Sequence, residues 1–200
     1  MLTIVLGTHN RKKGEELDAL LRSAGVTVET LATYSEAIEV VEDGDTFLHN
    51  ARKKAVEQAR HLGRWVLGED SGLMVDALDG APGVFSARFS GPEATDDSNN
   101  RLLIERLDGV PTERRGAGYV CQMVLADPDG EVRAEARGTC RGRITTEPHG
   151  TGGFGYDPLF ELLEYHRTFG QMGPAAKSAL SHRARAAARL LPQLRKLAAG

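Results

Sequence analysis

Cysteine is nearly absent: Cys121 and Cys140 are the only two in 200 residues and stand far apart, outside any C-x-x-C spacing. That argues against a disulfide scaffold or a cysteine zinc site and leaves two small apolar residues suited to buried strands. A basic excess is also absent. The formal net charge is −3, so there is no global positive field to collect nucleic acid. No apolar run is long enough to cross a bilayer, which leaves no expected membrane partner. The N-terminus opens on an apolar stretch with neither a basic leader region nor a small-residue cleavage site, so the expected location is cytoplasmic. Repeats, low-complexity stretches and linkers are missing too. What remains is 40% hydrophobic and 26% charged, in a length that suits one domain or two closely joined lobes.

The periodicity predicts an α/β chain with an antiparallel portion. Leu2 to Gly7 reads as a buried strand, and Leu17, Leu20, Leu21 and Ala24 then recur at helical spacing up to Gly25. Val26 to Leu31 is a second strand. Thr46 caps a helix with the stripe Phe47, Ala51, Ala55, Ala59 and Leu62, stopped by Gly63. Trp65-Val66-Leu67 is a third strand expected to end at Gly68-Glu69-Asp70-Ser71-Gly72, with a separate strand-like Leu73-Met74-Val75 after it. Residues 79–94, rich in Gly, Pro and Ser, read as a long functional loop. Thr95 caps a helix, and Ala117 to Ala126 is a strand. Asp127-Pro128-Asp129-Gly130 turns it into an antiparallel return through Val132, Ala134 and Ala136. The tail from Ser178 to Ala199 is helical, with Pro192 expected to kink or divide it.

Five constellations could carry chemistry. Thr8, Asn10 and Lys13 lie where a strand gives way to a helix, and a helix N-terminus offers unpaired N–H groups and positive charge to a phosphate. The glycine spacing of a Walker A loop is absent, and alone the stretch could be a cap followed by solvated lysines. Glu69 and Asp70 are adjacent acids that repel unless a cation or proton compensates, and magnesium is commonly shared between carboxylates and phosphates. Glu42 is a third acid, in the run Glu39 to Asp45, although such runs are often plain surface. Asn50 and Lys54 lie one turn apart on a helix, where the lysine could meet a phosphate. Phe154-Gly155-Tyr156-Asp157 follows a glycine-rich loop, which lets backbone approach a ligand while an aromatic ring stacks on a base. Lys177 and Ser181-His182-Arg183 gather donors before the last helix. Together these are the parts for handling a nucleotide.

At this point the chain resembles the Ham1/RdgB family of inosine/xanthosine triphosphate pyrophosphatases. The resemblance rests on Thr8-His9-Asn10-Arg11-Lys12-Lys13, Thr46-Phe47 with Asn50-Ala51 and Lys54-Ala55, and Asp70-Ser71-Gly72-Leu73. It continues through Gly80-Ala81-Pro82-Gly83 with Ser86-Ala87-Arg88, Ala94-Thr95-Asp96 with Asn99, Gly150 to Pro158, and Ser181-His182-Arg183, nearly the whole chain in order. It implies a single two-lobed domain over 1–200, an elongated mixed central sheet flanked by helices (Maf/Ham1-like), an active-site cleft between the lobes, and a homodimer. It also implies Mg²⁺-dependent hydrolysis of ITP, dITP and XTP to the monophosphate and pyrophosphate.

By that resemblance Asp70 is the general base and a metal-associated acid, and Glu42 and Glu69 assist the metal. Thr8, Asn10, Lys13 and Lys54 fall at phosphate-binding positions, His9, Arg11 and Lys12 at further substrate-binding positions, and Ser71 touches the substrate. Phe154, Tyr156, Asp157, Lys177, His182 and Arg183 fall at nucleoside-binding positions, and Gly155 at a further substrate-binding one. The chain departs from the family pattern at Glu69, where many relatives carry Asp, at Ala175-Ala176 before Lys177, and at Gln171. The alternatives are a Maf-like pyrophosphatase of pyrimidine or modified nucleotides, and a nucleotide sensor without turnover.

Overall fold

The structure, a computed structural model, describes residues 2–199. The strands are β1 (Thr3–Leu6), β2 (Thr27–Thr30), β3 (Trp65–Val75), β4 (Gly116–Ala126), β5 (Val132–Ile144), β6 (Phe160–Leu162) and β7 (Arg167–Thr168). The α-helices are α1 (Arg11–Leu21), α2 (Phe47–Leu62), α3 (Asp96–Arg106), α4 (Pro174–Leu180) and α5 (His182–Ala199). One mixed seven-stranded sheet runs in the order β2-β1-β3-β4-β5-β6-β7. β1 is parallel to β2 and β3, whereas β5, β6 and β7 pair antiparallel. This is the expected α/β class. Among the described residues, no helix is long and apolar enough to cross a membrane.

The chain divides into two compact units. Among the described residues the first comprises 2–71, 121–138 and 182–199; the second comprises Gly72–Val120 and Thr139–Ser181. In the first unit the strand period of two assigns side chains to opposite faces. Ile4, Leu6 and Leu67 pack with Leu17 and Leu21 of α1 and with Ala186, Ala187, Leu190 and Leu194 of α5. Val5 and Val66 face the other way, onto Ala51, Ala55 and Ala59 of α2. The apolar stripes read from sequence are therefore the faces that bury, and α1 and α2 cover opposite sides of the sheet. Two glycines let helices approach the strands at backbone distance. A Cβ on Gly68 would stand 2.2 Å from the Ala51 carbonyl oxygen, and one on Gly138 would stand 2.1 Å from the His182 carbonyl oxygen. The second unit has its own core, in which Tyr119, Phe160 and Phe169 cluster with Leu103, Leu107, Ile144 and Tyr156.

The helix boundaries follow their caps. Asn10 accepts the Lys13 N–H, Thr46 accepts the His49 N–H, and Thr95 with Ser98 forms a capping box. Cys121 and Cys140 are not joined in a disulfide and are buried on β4 and β5, as expected of two apolar strand residues.

Two expectations need correction. β3 does not stop at Gly68 but runs eleven residues, through Glu69 and Asp70 to Val75. Charge and glycine usually mark a strand's end; here bonded partners on both faces make burial of the two acids tolerable. The 79–94 segment is a loop as expected, with a short 3₁₀ helix over Gly83–Arg88. The helical tail breaks at Ser181, whose backbone is extended, while α5 continues through Pro192.

Candidate active site

The first unit carries a junction where the sheet changes direction. From β1 the chain crosses through α1 to β2 on one side, whereas β3, which follows α2, lies on the other side of β1. Open α/β sheets bind ligands outside the carboxyl ends of strands at such a switch point. The parallel register Leu6↔Leu67 and the Gly7 N–H bonded to the Leu67 carbonyl at 2.9 Å bring residues 8–13 alongside the middle of β3. Thr8 Oγ accepts the Asn10 N–H at 3.1 Å, so the turn into α1 is held by its own side chains.

Because successive residues of a strand point to opposite faces, Glu69 and Asp70 belong to different clusters. Asp70 faces α2. Its carboxylate accepts from Asn50 Nδ2 at 3.2 Å and from the Ser71 N–H at 3.0 Å, and Lys54 Nζ lies 3.5 Å away. Lys54 also reaches Glu42 at 2.8 Å, so one ammonium is shared by two carboxylates. Asn50 accepts the Gly44 N–H at 2.8 Å, tying the loop that bears Glu42 to the same helix. Burial pushes the Asp70 carboxyl above its ordinary range; Lys54 and Lys13 oppose this, while Glu42 and Glu69 add to it. Burial pulls the Lys54 ammonium down, but Asp70 and Glu42 outweigh it and hold it above its usual value.

Glu69, 1% exposed, faces α1 and α5 with Ser71. Lys13 Nζ is 3.1 Å from one carboxylate oxygen; Arg183 Nη2 donates to the other at 3.1 Å, and the Cys121 thiol donates to that same oxygen at 3.4 Å. Arg183, equally buried, also donates to Ser71 Oγ at 3.1 Å and to Glu16 at 2.5 Å. Burial alone would raise the Glu69 carboxyl, yet Lys13, Arg183 and Lys54 hold it well below the usual carboxylate range. Burial likewise works against the charge on Arg183, and Glu69 and Glu16 keep the guanidinium protonated.

The second unit assembles another group of sequence-derived positions. Asp157 accepts the Phe154 N–H at 2.9 Å and Lys177 Nζ at 2.6 Å, and that ammonium lies 4.2 Å from the Phe154 ring centroid. Tyr156 is buried with its hydroxyl donating to the Ser86 carbonyl, and the Gly155 N–H donates to Asp96. A cavity of about 730 Å³ opens beside Phe154 and Gly155, lined also by Asp96, Asn100 and Arg101.

Of the positions read from sequence, Lys13, Glu69, Ser71 and Arg183 come together on one face of β3, and Glu42, Lys54 and Asp70 on the other. Phe154, Asp157 and Lys177 form the group in the second unit. His182 is buried at the start of α5. His9, Arg11 and Lys12 are exposed in the first turn around the α1 N-terminus, where Arg11 pairs with Glu15. Arg183 lies with Glu69 and Ser71, whereas the resemblance grouped it with Lys177. Two contributors carried no site role in the sequence reading. Asn50 stood in the sequence beside Lys54 and in the Asn50-Ala51 match, with no role of its own. Glu16 could have been found from its i+3 spacing to Lys13, which sets both on one helix face.

A switch-point site with buried carboxylates and lysines at a helix N-terminus defines an open α/β protein equipped for an anionic, phosphate-bearing ligand. The comparisons carry this further. The Ham1 family model matches residues 4–193, and the chain belongs to the Ham1 family. It is 54% identical over 197 residues to a dITP/XTP pyrophosphatase of Rhodopirellula baltica, covering 98% of this chain and 95% of that protein. Among solved structures it resembles a HAM1 protein from Coxiella burnetii, with TM-score 0.89, 35% identity, and coverage of 98% of this chain and 100% of the other. A dITP/XTP pyrophosphatase from Mycobacterium abscessus matches with TM-score 0.77 and 43% identity, covering 96% of this chain and 100% of the other.

Proposed function

We propose that this protein hydrolyses nucleoside triphosphates bearing hypoxanthine or xanthine (ITP, dITP and XTP) to the nucleoside monophosphate and pyrophosphate, removing deaminated purines from the nucleotide pool. The observation that carries the reading is Asp70. It is a buried carboxylate with a raised proton affinity, bonded to Asn50 and flanked by Lys54 at the switch point. A general base works best when its affinity approaches the working pH, and such perturbed groups concentrate at reaction centres. The names of the relatives supply the substrate class.

Cleavage of a phosphoanhydride needs a water aimed at phosphorus, a group to take its proton, and positive charge on the phosphate oxygens. Asp70 orients the water and accepts the proton. Lys13 and Lys54 neutralise phosphate charge, and the N–H groups at the start of α1 bind phosphate oxygens. The donor set also fits Mg²⁺: Glu42 and Asp70 are carboxylates spanned by a single ammonium, an arrangement whose oxygens suit a hard cation. Glu42 and Asp70 would hold the ion, which supplies Lewis-acid charge to the phosphates when bound.

In the second unit, Phe154 offers a face for the base, and Lys177 supplies a donor matched to the C6 carbonyl of hypoxanthine or xanthine. Adenine presents an amino donor there, which sets donor against donor and forfeits that bond. The same reading takes the protein as a cytoplasmic homodimer.

A substrate panel tests it: pyrophosphate release from ITP, dITP, XTP, ATP, GTP, dTTP and UTP, with Mg²⁺ and with chelator. Metal-dependent release confined to the first three is expected. Preference for pyrimidine nucleotides would move the protein to a Maf-like activity. Binding without release would make it a sensor.

A further inference from the structure

The Glu69 cluster is separate from the Asp70 cluster by the geometry of the strand. Glu69 and Ser71, two residues apart, share one face of β3. Lys13 and Glu16, three apart, share one face of α1. Arg183, at the start of α5, sends its guanidinium to Glu16, Glu69 and Ser71. The four charged groups are two acids and two bases, so they balance without a metal. Both Glu69 oxygens face cations, Lys13 at 3.1 Å and Arg183 at 3.1 Å. Asp70, by contrast, looks to the α2 side, where Glu42 and Lys54 are.

We propose that Glu69 is a positioning residue that holds Lys13 and Arg183 in place from beneath the phosphate-side site, rather than a ligand of the metal. The inference rests on the reading above for what Lys13 does, and on geometry alone for what holds it. The physical reason is economy of motion. Lysine has a flexible four-carbon stem, and an ammonium anchored by a buried carboxylate arrives at the phosphates already oriented. Glu69 binds the Arg183 fork as well, so the first turn of α1 and the start of α5 are fixed by one side chain.

The test compares Glu69→Gln with Glu16→Gln. Each removes one charged partner of Arg183, so both lower the unfolding temperature, but only Glu69→Gln releases Lys13. The expected result for Glu69→Gln is a KM for dITP raised about tenfold or more with kcat changed little, the signature of lost ground-state binding. Glu69→Asp, which keeps the charge on a shorter stem, should recover part of that loss, and Glu16→Gln, which leaves the Lys13–Glu69 pair in place, should raise KM several-fold less than Glu69→Gln does. Mn²⁺ affinity, read by electron paramagnetic resonance of the free ion, should stay within about threefold in Glu69→Gln. In its crystal structure Lys13 Nζ should have left its place against β3.

A drop in Mn²⁺ affinity of about tenfold or more, the scale of losing even an outer partner of a metal ligand, would make Glu69 part of the metal site and overturn the proposal. So would an equal rise in KM for Glu16→Gln, or a Lys13 that stays in place. If Glu69→Gln cannot be purified, Glu69→Asp carries the same readouts with smaller shifts. If the wild type shows no turnover at all, the functional reading fails. The positioning claim is then decided by the crystal structure and the Mn²⁺ titration.

Discussion

Gly68→Ala tests how tightly the catalytic face is built. Gly68 lies on β3 two residues before Asp70, and an added Cβ would meet the Ala51 carbonyl oxygen at 2.2 Å and the Ala55 nitrogen at 2.7 Å. Both are backbone atoms of α2, so no rotamer change relieves the clash. The helix must retreat by roughly 1 Å to restore ordinary contact. Overpacking of this kind costs about 1–3 kcal/mol. Replacing glycine by alanine returns about 0.4–1 kcal/mol by restricting the unfolded chain. The net loss, about 1–2 kcal/mol, lowers Tm by roughly 2–8 °C in a protein of this size. The functional effect should be larger, because Asn50 and Lys54 flank Ala51 and Ala55 and move with them. A displacement of about 1 Å at a positioned group can cost about 10²-fold in rate, equivalent to about 2.7 kcal/mol. The expected outcome is a modest Tm loss by calorimetry with kcat/KM for dITP down about a hundredfold. An unchanged Tm with kcat/KM within about threefold of wild type would refute the claim that direct helix-on-strand contact sets the site.

Gly14, inside α1, is the counter-case: nothing lies within 4 Å of an added Cβ. Gly14→Ala should raise stability by about 0.5–1 kcal/mol in a denaturant titration. The acid limb of the stability curve reports Glu69. Burial disfavours its charge, but Lys13 and Arg183 win and depress its carboxyl, so the unfolded chain binds the proton first. Its contribution is present above the ordinary glutamate range and is lost as pH falls through the depressed value. Glu69→Gln should therefore lower stability at pH 7 and flatten the acid limb, and an unaltered slope would contradict the assignment. Lys177→Met removes the ammonium beside Phe154 and should reduce the ITP-over-ATP ratio of kcat/KM by about 10- to 100-fold, the worth of a charged hydrogen bond.

Much of the fold was legible because its signals are local. Asn10, Thr46 and Thr95 are side-chain caps, and the stripe from Phe47 to Ala59 is the buried face of α2. The strand alternation at Val132, Ala134 and Ala136 likewise holds in β5. The extent of β3 was not legible, because Glu69 and Asp70 are tolerated in a strand only through cations brought from α1, α2 and α5. Those contacts are distant in sequence: Arg183 reaches Glu69 across 114 positions. For the same reason the sequence could list Glu42, Glu69 and Asp70 as acids but could not sort them onto opposite faces. The break at Ser181 was hidden by good helix formers on both sides, since propensity does not record a backbone that turns extended for one residue.

Asp70→Asn tests the central claim most directly, measured beside the wild type as pyrophosphate released from dITP and dATP with Mg²⁺. The substitution keeps the shape and one acceptor oxygen for Asn50 but removes the base. The account predicts that the wild type releases pyrophosphate from dITP far faster than from dATP. It predicts that Asp70→Asn folds normally and loses about 10²–10⁴-fold in kcat, the usual worth of general-base catalysis. Near-wild-type turnover by Asp70→Asn would contradict it.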